Sequence, residues 1–588
     1  MAIVIFGYLI LSLICGGMGY AFYRIPRISK IIPENTTSIF EYIWTGFFLL
    51  IAFLQLYSLL MPIDAILVYL TLPFVIVGIY ALWKNRINNI TLLTANVIVD
   101  ISSKNKRVLF VNAIFSKLAV GVTFTLVILF ITYIYSINAN RTIDHYDAYL
   151  YHLAAVKWMK EFATVPGLAN LHSRLGFNSS FHLFAAYIDA FSIKYLAVHL
   201  ATSFLVWLLS IQMFYVLFLE KYTTHIKIYC AISLLYLLTR GTWFFEASAI
   251  ATDVPASVIF MVFGFYFLES NKIKFLLLPI IAVCAITFKL SMLFAGVLLI
   301  PVLISLFFHI KKYSYSTIKT ITIVGLSLST ILMLGFVFRN IITSGYLLFP
   351  IPITNLHLSW SVPTEETKEV VAVIRAWAQK MTSPQEITKN GLRFWLIPWV
   401  TDFVTVQIEF KIIVVSILVF ILTGFVYIRK KKTQVIRFFH KPTFLLFCAT
   451  FLSLCLWFYS APDLRFGRVF FWIVMACLLI LLSKINKSIG IITTTLVFIF
   501  FFTFYTKIWF NYSFSKAEAL QLVAPRVPKV APYELKDPKT GKTLINMVLP
   551  LEGDWCGEEL LCTPSYYIKP IQFREDKNLS KGFKPVKK

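Results

Sequence analysis

The chain has 588 residues, of which 59% are hydrophobic and only 14% are charged, and its mean hydropathy is +0.78. Soluble domains carry about a quarter of charged residues, so this composition excludes a soluble globular protein. The formal net charge of +26 would suggest nucleic-acid binding in a soluble protein. Here, however, the basic residues cluster in short linkers between apolar runs, a pattern typical of cytoplasmic loops in membrane proteins. Nucleic acid is therefore not an expected partner.

Apolar runs follow one another along the chain, and many reach the roughly 20 residues that a membrane-spanning helix needs. The sequence predicts an all-α transmembrane protein whose residues 1–507 form a multi-span helical bundle of about fourteen spans. Basic linkers such as 429–432 are assigned to the cytoplasmic side, which puts both termini outside. The predicted spans are 2–23, 38–60, 63–83, 109–135, 192–219, 226–241, 253–269, 274–288, 290–308, 320–338, 409–428, 442–460, 469–484 and 488–507.

Three polar regions fall on the predicted outer side: the loops 137–191 and 339–408 and the tail 508–588. We expect function there, because the hydrocarbon core tolerates no lipid-exposed irregular backbone. Apolar residues at helical spacing predict interfacial helices at 144–162 and 365–381. The tail is rich in Pro, Lys and turn residues, and it is predicted to form a small extracytoplasmic domain.

An acidic motif opens the first outer loop, in the order Asp144-His145-Tyr146-Asp147. On a helix, Asp144, Asp147 and Tyr151 would share one face, and His152 follows directly. Acidic residues at a bilayer edge are costly, so they favour a functional role. Carboxylates also suit the positive end of a helix dipole, and a capping role remains the alternative for both aspartates.

Two further polar sites follow the acidic motif along the chain. The segment 167–180 contains His172, Arg174 and Asn178, and such a loop either binds a polar ligand or satisfies its own hydrogen bonds. Asp253 stands two residues before Pro255, which is a good start for a helix and also presents a carboxylate at the outer surface.

Several basic side chains lie on the side that the topology rule depletes of positive charge. Guanidinium and ammonium groups are natural ligands of phosphate oxygens. For Lys289 and Arg468, snorkelling or an ion pair is an equally open alternative. The candidate phosphate ligands are Lys289, Arg339, Arg393, Arg465 and Arg468.

The eight cysteines divide into two groups. Six lie inside apolar spans, where cysteine is usually a small buried hydrophobic residue. Cys556 and Cys562 lie together in the polar tail, and an outside tail predicts a disulfide between them. The residues around this pair offer too few ligands for a metal site.

With these residues in place, the chain resembles the C-type membrane glycosyltransferases, which include protein O-mannosyltransferases and lipid A aminoarabinose transferases. Two features depart from that superfamily, because four predicted spans precede the acidic loop instead of one and no adjacent Asp-Glu pair is present. The matching features are the acidic motif with Asp147 and Tyr151, Asp253 before a Pro-containing helix start, Lys289 and Ser291 between spans, and Arg339-Asn340 followed by a Gly-to-Pro turn at 345–350.

A second resemblance is more extensive and covers most of the chain. The sequence is similar to an uncharacterised family of bacterial multi-span membrane proteins. The shared features are Tyr151-His152, the Gly-Leu-Ala-Asn-Leu-His segment at 167–172, the Ala-Pro-Asp-x-Arg-Phe segment at 461–466 and the paired tail cysteines.

The resemblance to C-type enzymes implies a hexosyl- or pentosyltransferase in a bacterial cytoplasmic (inner) membrane, with its active site facing the periplasm. It implies inverting transfer from a polyprenyl-phosphate sugar to a glycan, lipid or protein acceptor, with Asp147 as general base assisted by Asp144. The five basic residues would bind the donor phosphate. Residues implied to orient the substrates are Tyr151, His152, His172, Arg174, Asn178 and Asp253.

No cofactor is required for such a monophosphate donor. A diphosphate donor would instead draw Mg²⁺ or Mn²⁺ between Asp144, Asp147 and Asp253.

Two other classes of protein stay open at this point. A polysaccharide polymerase or O-antigen ligase would use His172 and Arg174 on a lipid diphosphate, but it leaves the acidic motif unexplained. A transporter would show inverted repeats with charges along a path, and the sequence shows no paired repeat. A structural or assembly protein is the remaining alternative.

Overall fold

The structure is a computed structural model that carries all side chains. Basic linkers assigned to the cytoplasmic side also include Lys104-Asn105-Lys106 and Lys311-Lys312; these two and 429–432 lie outside the described residues, as does part of the predicted span 290–308. The model describes the chain except residues 35–36, 85–106, 219–221, 239–245, 270–273, 301, 304–314, 381–383, 429–441, 486, 514–521, 576 and 587–588.

The described chain is mostly helical, and it is a multi-pass membrane protein by helix length and hydropathy. Among the described residues, eight helices are long and apolar enough to cross a membrane. They are Ala2–Tyr23, Ile39–Leu60, Ala65–Lys84, Val122–Ala139, Leu196–Phe218, Ile318–Ser344, Pro442–Ser460 and Leu464–Lys484. Shorter apolar helices are Thr224–Leu237, Asp253–Leu268, Lys274–Phe288 and Gly490–Phe500. The multi-pass class is thus confirmed, whereas the count of about fourteen spans stays a prediction.

The full bounds of several helices extend beyond these apolar windows. The spans predicted at 409–428 and 488–507 coincide with helices Ile408–Ile428 and Lys487–Ser513. Three apolar segments belong to longer helices, whose full bounds are Arg107–Ala139, Tyr315–Ser344 and Leu464–Ile485. The other helices are Pro26–Ser29, Leu153–Glu161, Ser180–Asp189, Thr364–Ala378 and Pro384–Thr405.

The predicted span 290–308 begins differently in the structure. Helix Lys274–Phe288 ends at Lys289, whose backbone is extended, and Leu290–Leu298 then forms a 3-10 helix. The extended residue breaks the helical hydrogen-bond ladder and turns the Lys289 side chain toward Asp253. The predicted division between spans 274–288 and 290–308 is therefore present, but the second segment begins as a 3-10 helix and not as an α-helix.

Glycine lets the first two long helices pack with their backbones in contact. A Cβ atom at Gly19 would lie 1.9 Å from the carbonyl oxygen of Tyr42, and one at Gly46 would lie 1.7 Å from that of Cys15. Without a large side chain between them, helices Ala2–Tyr23 and Ile39–Leu60 approach as small-residue interfaces do in membranes.

The first outer loop corrects the predicted helix 144–162. Asp144 and His145 are not helical, residues Ala148–His152 form a π-helical turn, and the α-helix runs only from Leu153 to Glu161. A π-turn has i→i+5 hydrogen bonds, so it changes which side chains share a face. The prediction that Asp144, Asp147 and Tyr151 line one helix face is therefore wrong.

The remaining outer elements are short. The first loop continues with 3-10 turns at Leu168–Asn170 and Ser173–Gly176. In the second loop, helix Thr364–Ala378 confirms the helix predicted at 365–381, and Pro352–Thr354 forms a 3-10 turn before it. Helix Pro384–Thr405 also lies in this loop, where the sequence predicted no element.

The tail contains β-structure, so an all-α fold is wrong for this part of the chain. Strand Val530–Lys536 pairs antiparallel with Thr543–Pro550, and Ile571–Phe573 pairs antiparallel with Phe583–Pro585. Cys556 and Cys562 form the predicted disulfide. We call residues 522–586 the tail domain.

The tail domain shares a hydrophobic core with the first outer loop. Its Leu535 and Phe583 belong to the same buried cluster as Leu150, Trp158 and Leu171 of the loop. The backbone N–H of Phe583 also donates to the carbonyl oxygen of Pro166 at 3.0 Å. The tail domain is therefore docked on the loop, and we call this end of the helical bundle the tail side.

Candidate functional site

Asp147 and Arg465 form an ion pair on the tail side. Nη1 of Arg465 lies 3.3 Å from Oδ2 of Asp147. The same guanidinium donates through Nε and Nη2 to Oδ2 of Asp463, at 3.1 and 3.0 Å, and Asp463 directly precedes helix Leu464–Ile485. The side chain of Arg465 is 44% exposed and that of Asp147 is 21% exposed. A ligand in solution can thus reach both groups.

A second ion pair lies beside the first. Asp253, the first residue of its helix, is buried and pairs with the ammonium of Lys289, which directly follows helix Lys274–Phe288. Nζ of Lys289 is 4.1 Å from the centroid of the Phe466 ring, and Cζ of Arg465 is 5.7 Å from the same centroid. Because both cations contact the same aromatic ring, the two ion pairs form a single charged site.

Glu246 and His145 complete this site, although neither was among the predicted site residues. Oε2 of Glu246 accepts the backbone N–H of Val254 at 3.0 Å. One ligand atom each of His145, Glu246 and Asp253 lies within 4.8 Å of the other two. Burial and the nearby Asp253 carboxylate raise the pKa of Glu246 above its ordinary value. We define the charged cluster as His145, Asp147, Glu246, Asp253, Lys289 and Arg465.

A row of buried histidines runs inward from the charged cluster. The ring centroid of His152 lies 5.9 Å from that of His145 and 4.9 Å from that of His182. His152 is buried, and burial holds its pKa well below the ordinary value, so its ring is neutral at pH 7. Tyr151 packs edge-on against it, with ring centroids 4.2 Å apart. The structure therefore places these two predicted substrate-orienting residues in the interior of the loop.

Arg339 lies away from the charged cluster and is buried. Its Nε donates to Oδ1 of Asn178 at 3.0 Å, and its Nη1 donates to Oγ of Ser58 at 2.6 Å and to Oγ1 of Thr164 at 2.9 Å. The adjoining cavity has a volume of about 20 Å³, enough for roughly one water molecule and too small for a phosphate. This position favours a structural role for Arg339 and Asn178, which fasten the first outer loop to the bundle.

His172 and Arg174 are attached to the tail domain. The ring of His172 packs 4.5 Å from the ring of Tyr567, and Nε of Arg174 donates to the Tyr567 hydroxyl at 3.2 Å. The guanidinium of Arg174 also lies 5.1 Å from the Trp377 ring centroid. Burial lowers the pKa of His172 to about 3. The two side chains are buried in a contact between loop and tail, not in the charged cluster.

The other predicted site residues are not brought into the cluster. Nε of Arg468 lies 2.7 Å from Oε1 of Glu409, which joins helix Leu464–Ile485 to helix Ile408–Ile428. Asp144 and Arg393 are exposed. No contact within the described part of the chain connects either of them to the charged cluster.

The tail domain packs against the residues on both sides of Asp147. The hydroxyl of Tyr146 donates to Asp554, and the backbone N–H of Gly557 donates to the carbonyl oxygen of Tyr149 at 2.8 Å. The ring of Trp555 lies 5.2 Å from that of Tyr149. We call residues 553–563, which contain the Cys556–Cys562 disulfide, the disulfide loop. This loop therefore helps to fix the position of the acidic motif.

Comparison with known proteins gives one family match. Residues 85–472 match the family model described as Domain of unknown function (DUF8201). The matched stretch is more than half of the chain and contains the whole charged cluster, but not the tail domain. The match does not show a glycosyltransferase family. No curated protein and no solved structure matches the chain.

Proposed function

The chain belongs to the family described as Domain of unknown function (DUF8201), and we propose that it is a membrane glycosyltransferase. In this proposal it takes a hexose or pentose from a polyprenyl-phosphate donor and transfers it to an extracytoplasmic hydroxyl with inversion at the anomeric carbon. The observation that carries the proposal is the pairing of a partly exposed carboxylate, Asp147, with the guanidinium of Arg465 beside the second cation Lys289.

Each group has a defined task in this reaction. Asp147 accepts the proton of the acceptor hydroxyl while that oxygen forms a bond to the anomeric carbon. The bond between this carbon and the phosphate oxygen breaks, and polyprenyl phosphate leaves with the electron pair. Arg465 and Lys289 stabilise the negative charge that develops on the leaving oxygen.

The ion pair also suggests how donor binding prepares the base. In the structure the guanidinium of Arg465 contacts Oδ2 of Asp147 and Oδ2 of Asp463. A planar guanidinium binds phosphate in bidentate fashion, so a bound donor would compete with these carboxylates for Arg465. Once Arg465 turns to the phosphate, Oδ2 of Asp147 is available to the acceptor hydroxyl.

The proposed location rests on two features. Basic residues cluster in the linkers that the topology rule assigns to the cytoplasm. The disulfide loop contacts Tyr146 and Tyr149, on either side of Asp147, and disulfides persist in oxidising compartments such as the bacterial periplasm. Together they support a bacterial cytoplasmic membrane with the site facing the periplasm.

The alternative of a polymerase or ligase depends on His172 and Arg174. Both side chains are buried against Tyr567 and belong to the contact that docks the tail domain. A lipid-diphosphate substrate could reach them only if that contact opened. The partly exposed Asp147 and Arg465 need no such rearrangement, and this difference favours the transferase.

The test measures release of labelled sugar from polyprenyl-phosphate donors by the full chain in lipid nanodiscs, with bacterial envelope extract as the source of acceptor. We expect Asp147→Asn to lower the rate by roughly 100-fold or more. Asp144→Asn is the matched control, because it removes an exposed carboxylate three residues away, and we expect a much smaller loss. Arg465→Ala should chiefly raise the KM for the donor.

The opposite pattern would contradict the proposal. If Asp147→Asn transfers at nearly the wild-type rate while His172→Ala or Arg174→Ala is inactive, the polymerase or ligase becomes the better assignment. If folded wild-type protein releases sugar from no donor of this class, a polyprenyl-phosphate glycosyltransferase is excluded.

A further inference from the structure

Three metal-ligating side chains from two distant parts of the chain meet inside the charged cluster. His145 comes from the first outer loop, whereas Glu246 and Asp253 flank the turn before helix Asp253–Leu268. One ligand atom of each lies within 4.8 Å of the other two. Glu246 is only 7% exposed and Asp253 only 5% exposed. This donor set is therefore formed in the interior and is not a surface group of acidic residues.

This trio contains two carboxyl groups but only one ion pair among the described residues. A buried carboxylate is costly unless it is paired or coordinates a cation. Lys289 pairs with Asp253, but in the described part of the chain no cation forms an ion pair with Glu246. Nδ1 of His145 is shielded from solvent and has no hydrogen-bond partner among the described residues. A metal ion would give the imidazole of His145 and the unpaired carboxyl of Glu246 a common partner.

We propose that His145, Glu246 and Asp253 bind a divalent metal ion of the Mn²⁺ or Zn²⁺ type. One imidazole nitrogen and two carboxylate oxygens suit these ions, because imidazole favours Zn²⁺ and carboxylates favour Mn²⁺. Ligand atoms about 2.1 Å from a metal lie at most about 4.2 Å apart. Three ligand atoms that surround one ion lie closer, about 3.0–3.6 Å apart, so the trio, now within 4.8 Å, has to close by about 1 Å when the ion binds.

This site differs from the metal site that the sequence suggested for a diphosphate donor. Of Asp144, Asp147 and Asp253, only Asp253 belongs to the trio. Asp144 is exposed, and Asp147 is paired with Arg465. Metal binding stands on geometry alone, whereas a role for the ion in holding a donor phosphate beside Lys289 rests on the proposed transferase function.

Lys289 makes the proposal unusually specific. Its ammonium is bonded to Oδ1 of Asp253, so it competes with a metal for this carboxylate and repels the ion by its like charge. Removing the ammonium should therefore strengthen metal binding. Loss of a residue that served only to hold the fold together would not have this effect.

The experiment titrates Mn²⁺ into the purified full chain in nanodiscs without any donor and follows free Mn²⁺ by electron paramagnetic resonance, with Zn²⁺ as competitor. Glu246→Gln and His145→Phe, which keeps an aromatic ring beside His152, should each weaken binding by roughly 10–100-fold. Lys289→Met should tighten it, and Asp144→Asn should leave it unchanged. Size-exclusion profiles and unfolding midpoints without metal verify that each variant is folded.

Absence of saturable Mn²⁺ or Zn²⁺ binding by folded wild-type protein would overturn the proposal, as would equal affinities in wild type, Glu246→Gln and His145→Phe. If one of these two variants does not fold, the other and Lys289→Met decide the question. Because no sugar donor is present, failure of the metal site is distinguishable from failure of the transferase. Failure of the proposed transferase function would appear as an unaffected transfer rate in Asp147→Asn.

Discussion

Replacing Arg339 by Met tests whether this buried guanidinium holds the first outer loop on the bundle. The substitution keeps most of the apolar stem and removes hydrogen bonds to Asn178, Ser58 and Thr164. A hydrogen bond to a charged group contributes about 1.5–3 kcal/mol, and three are lost. Burying the charge itself costs several kcal/mol, which the substitution recovers. We therefore expect the free energy of unfolding to fall by about 2–4 kcal/mol.

The measurement is an unfolding titration of the purified protein, followed by tryptophan fluorescence. Arg465→Met is the matched control, because its partly exposed ion pairs should contribute at most about 1 kcal/mol. The structural interpretation predicts a lower midpoint for Arg339→Met and weaker donor binding for Arg465→Met. If Arg339→Met unfolds at the wild-type midpoint and instead weakens donor binding, Arg339 is a phosphate ligand and our reasoning is wrong.

Three further predictions concern the tail domain and the membrane topology. Thiol labelling of denatured, unreduced protein should modify the six span cysteines but leave Cys556 and Cys562 unmodified; labelling of both tail thiols would refute the disulfide. Burial holds the pKa of His172 at about 3, whereas the pKa of histidine in an unfolded chain is about 6.5. Below about pH 6.5 the imidazole therefore takes up a proton when the protein unfolds. The stability of the folded protein consequently falls as the pH drops below about 6.5. Proteolysis of the tail domain should therefore accelerate at pH 5, and His172→Phe should reduce this acceleration. An equal acceleration in wild type and His172→Phe would contradict burial of the His172 ring. A reporter fused after Lys432 should behave as cytoplasmic and one fused after Lys588 as exported; the same side for both would contradict the predicted topology.

The membrane class could be predicted because a bilayer imposes one dominant constraint on sequence. Runs of about 20 apolar residues have few alternatives to a spanning helix, and the spans predicted at 2–23 and 38–60 agree closely with helices Ala2–Tyr23 and Ile39–Leu60. The break between the spans predicted at 274–288 and 290–308 is confirmed, because helix Lys274–Phe288 ends directly before Lys289. The type of the next helix was not predictable, since the 3-10 helix Leu290–Leu298 is as apolar as its α-helical neighbours.

The candidate site was predictable in part. Asp147, Asp253, Lys289 and Arg465 were selected as charged residues near the ends of apolar runs, and the structure brings them together. In sequence, Arg468 has the same surroundings as Arg465, but its partner Glu409 lies on another helix and no local spacing reveals it.

Two residues of the cluster were missed for a related reason. Glu246 precedes Asp253 by seven residues, and the turn between them, not a helical repeat, brings their carboxylates together. His145 was part of the acidic motif, but its ring joins these carboxylates only through the fold. The π-turn at Ala148–His152 gave no signal in the residue pattern, and it decided which loop residues face the interior.

Docking of the tail domain on the first outer loop determines the order in which this protein can mature. The contact between Tyr146 and Asp554 joins positions 408 residues apart in the chain. During synthesis the loop is therefore made long before its partner exists, and Trp158 and Leu171 remain uncovered until Phe583 arrives. Assembly of the helices in the bilayer is thus not the final step. The acidic motif acquires its neighbours only when the latest-made segment folds back onto a much earlier one, so an interrupted chain leaves apolar surface exposed and the acidic motif without the contacts that fix it.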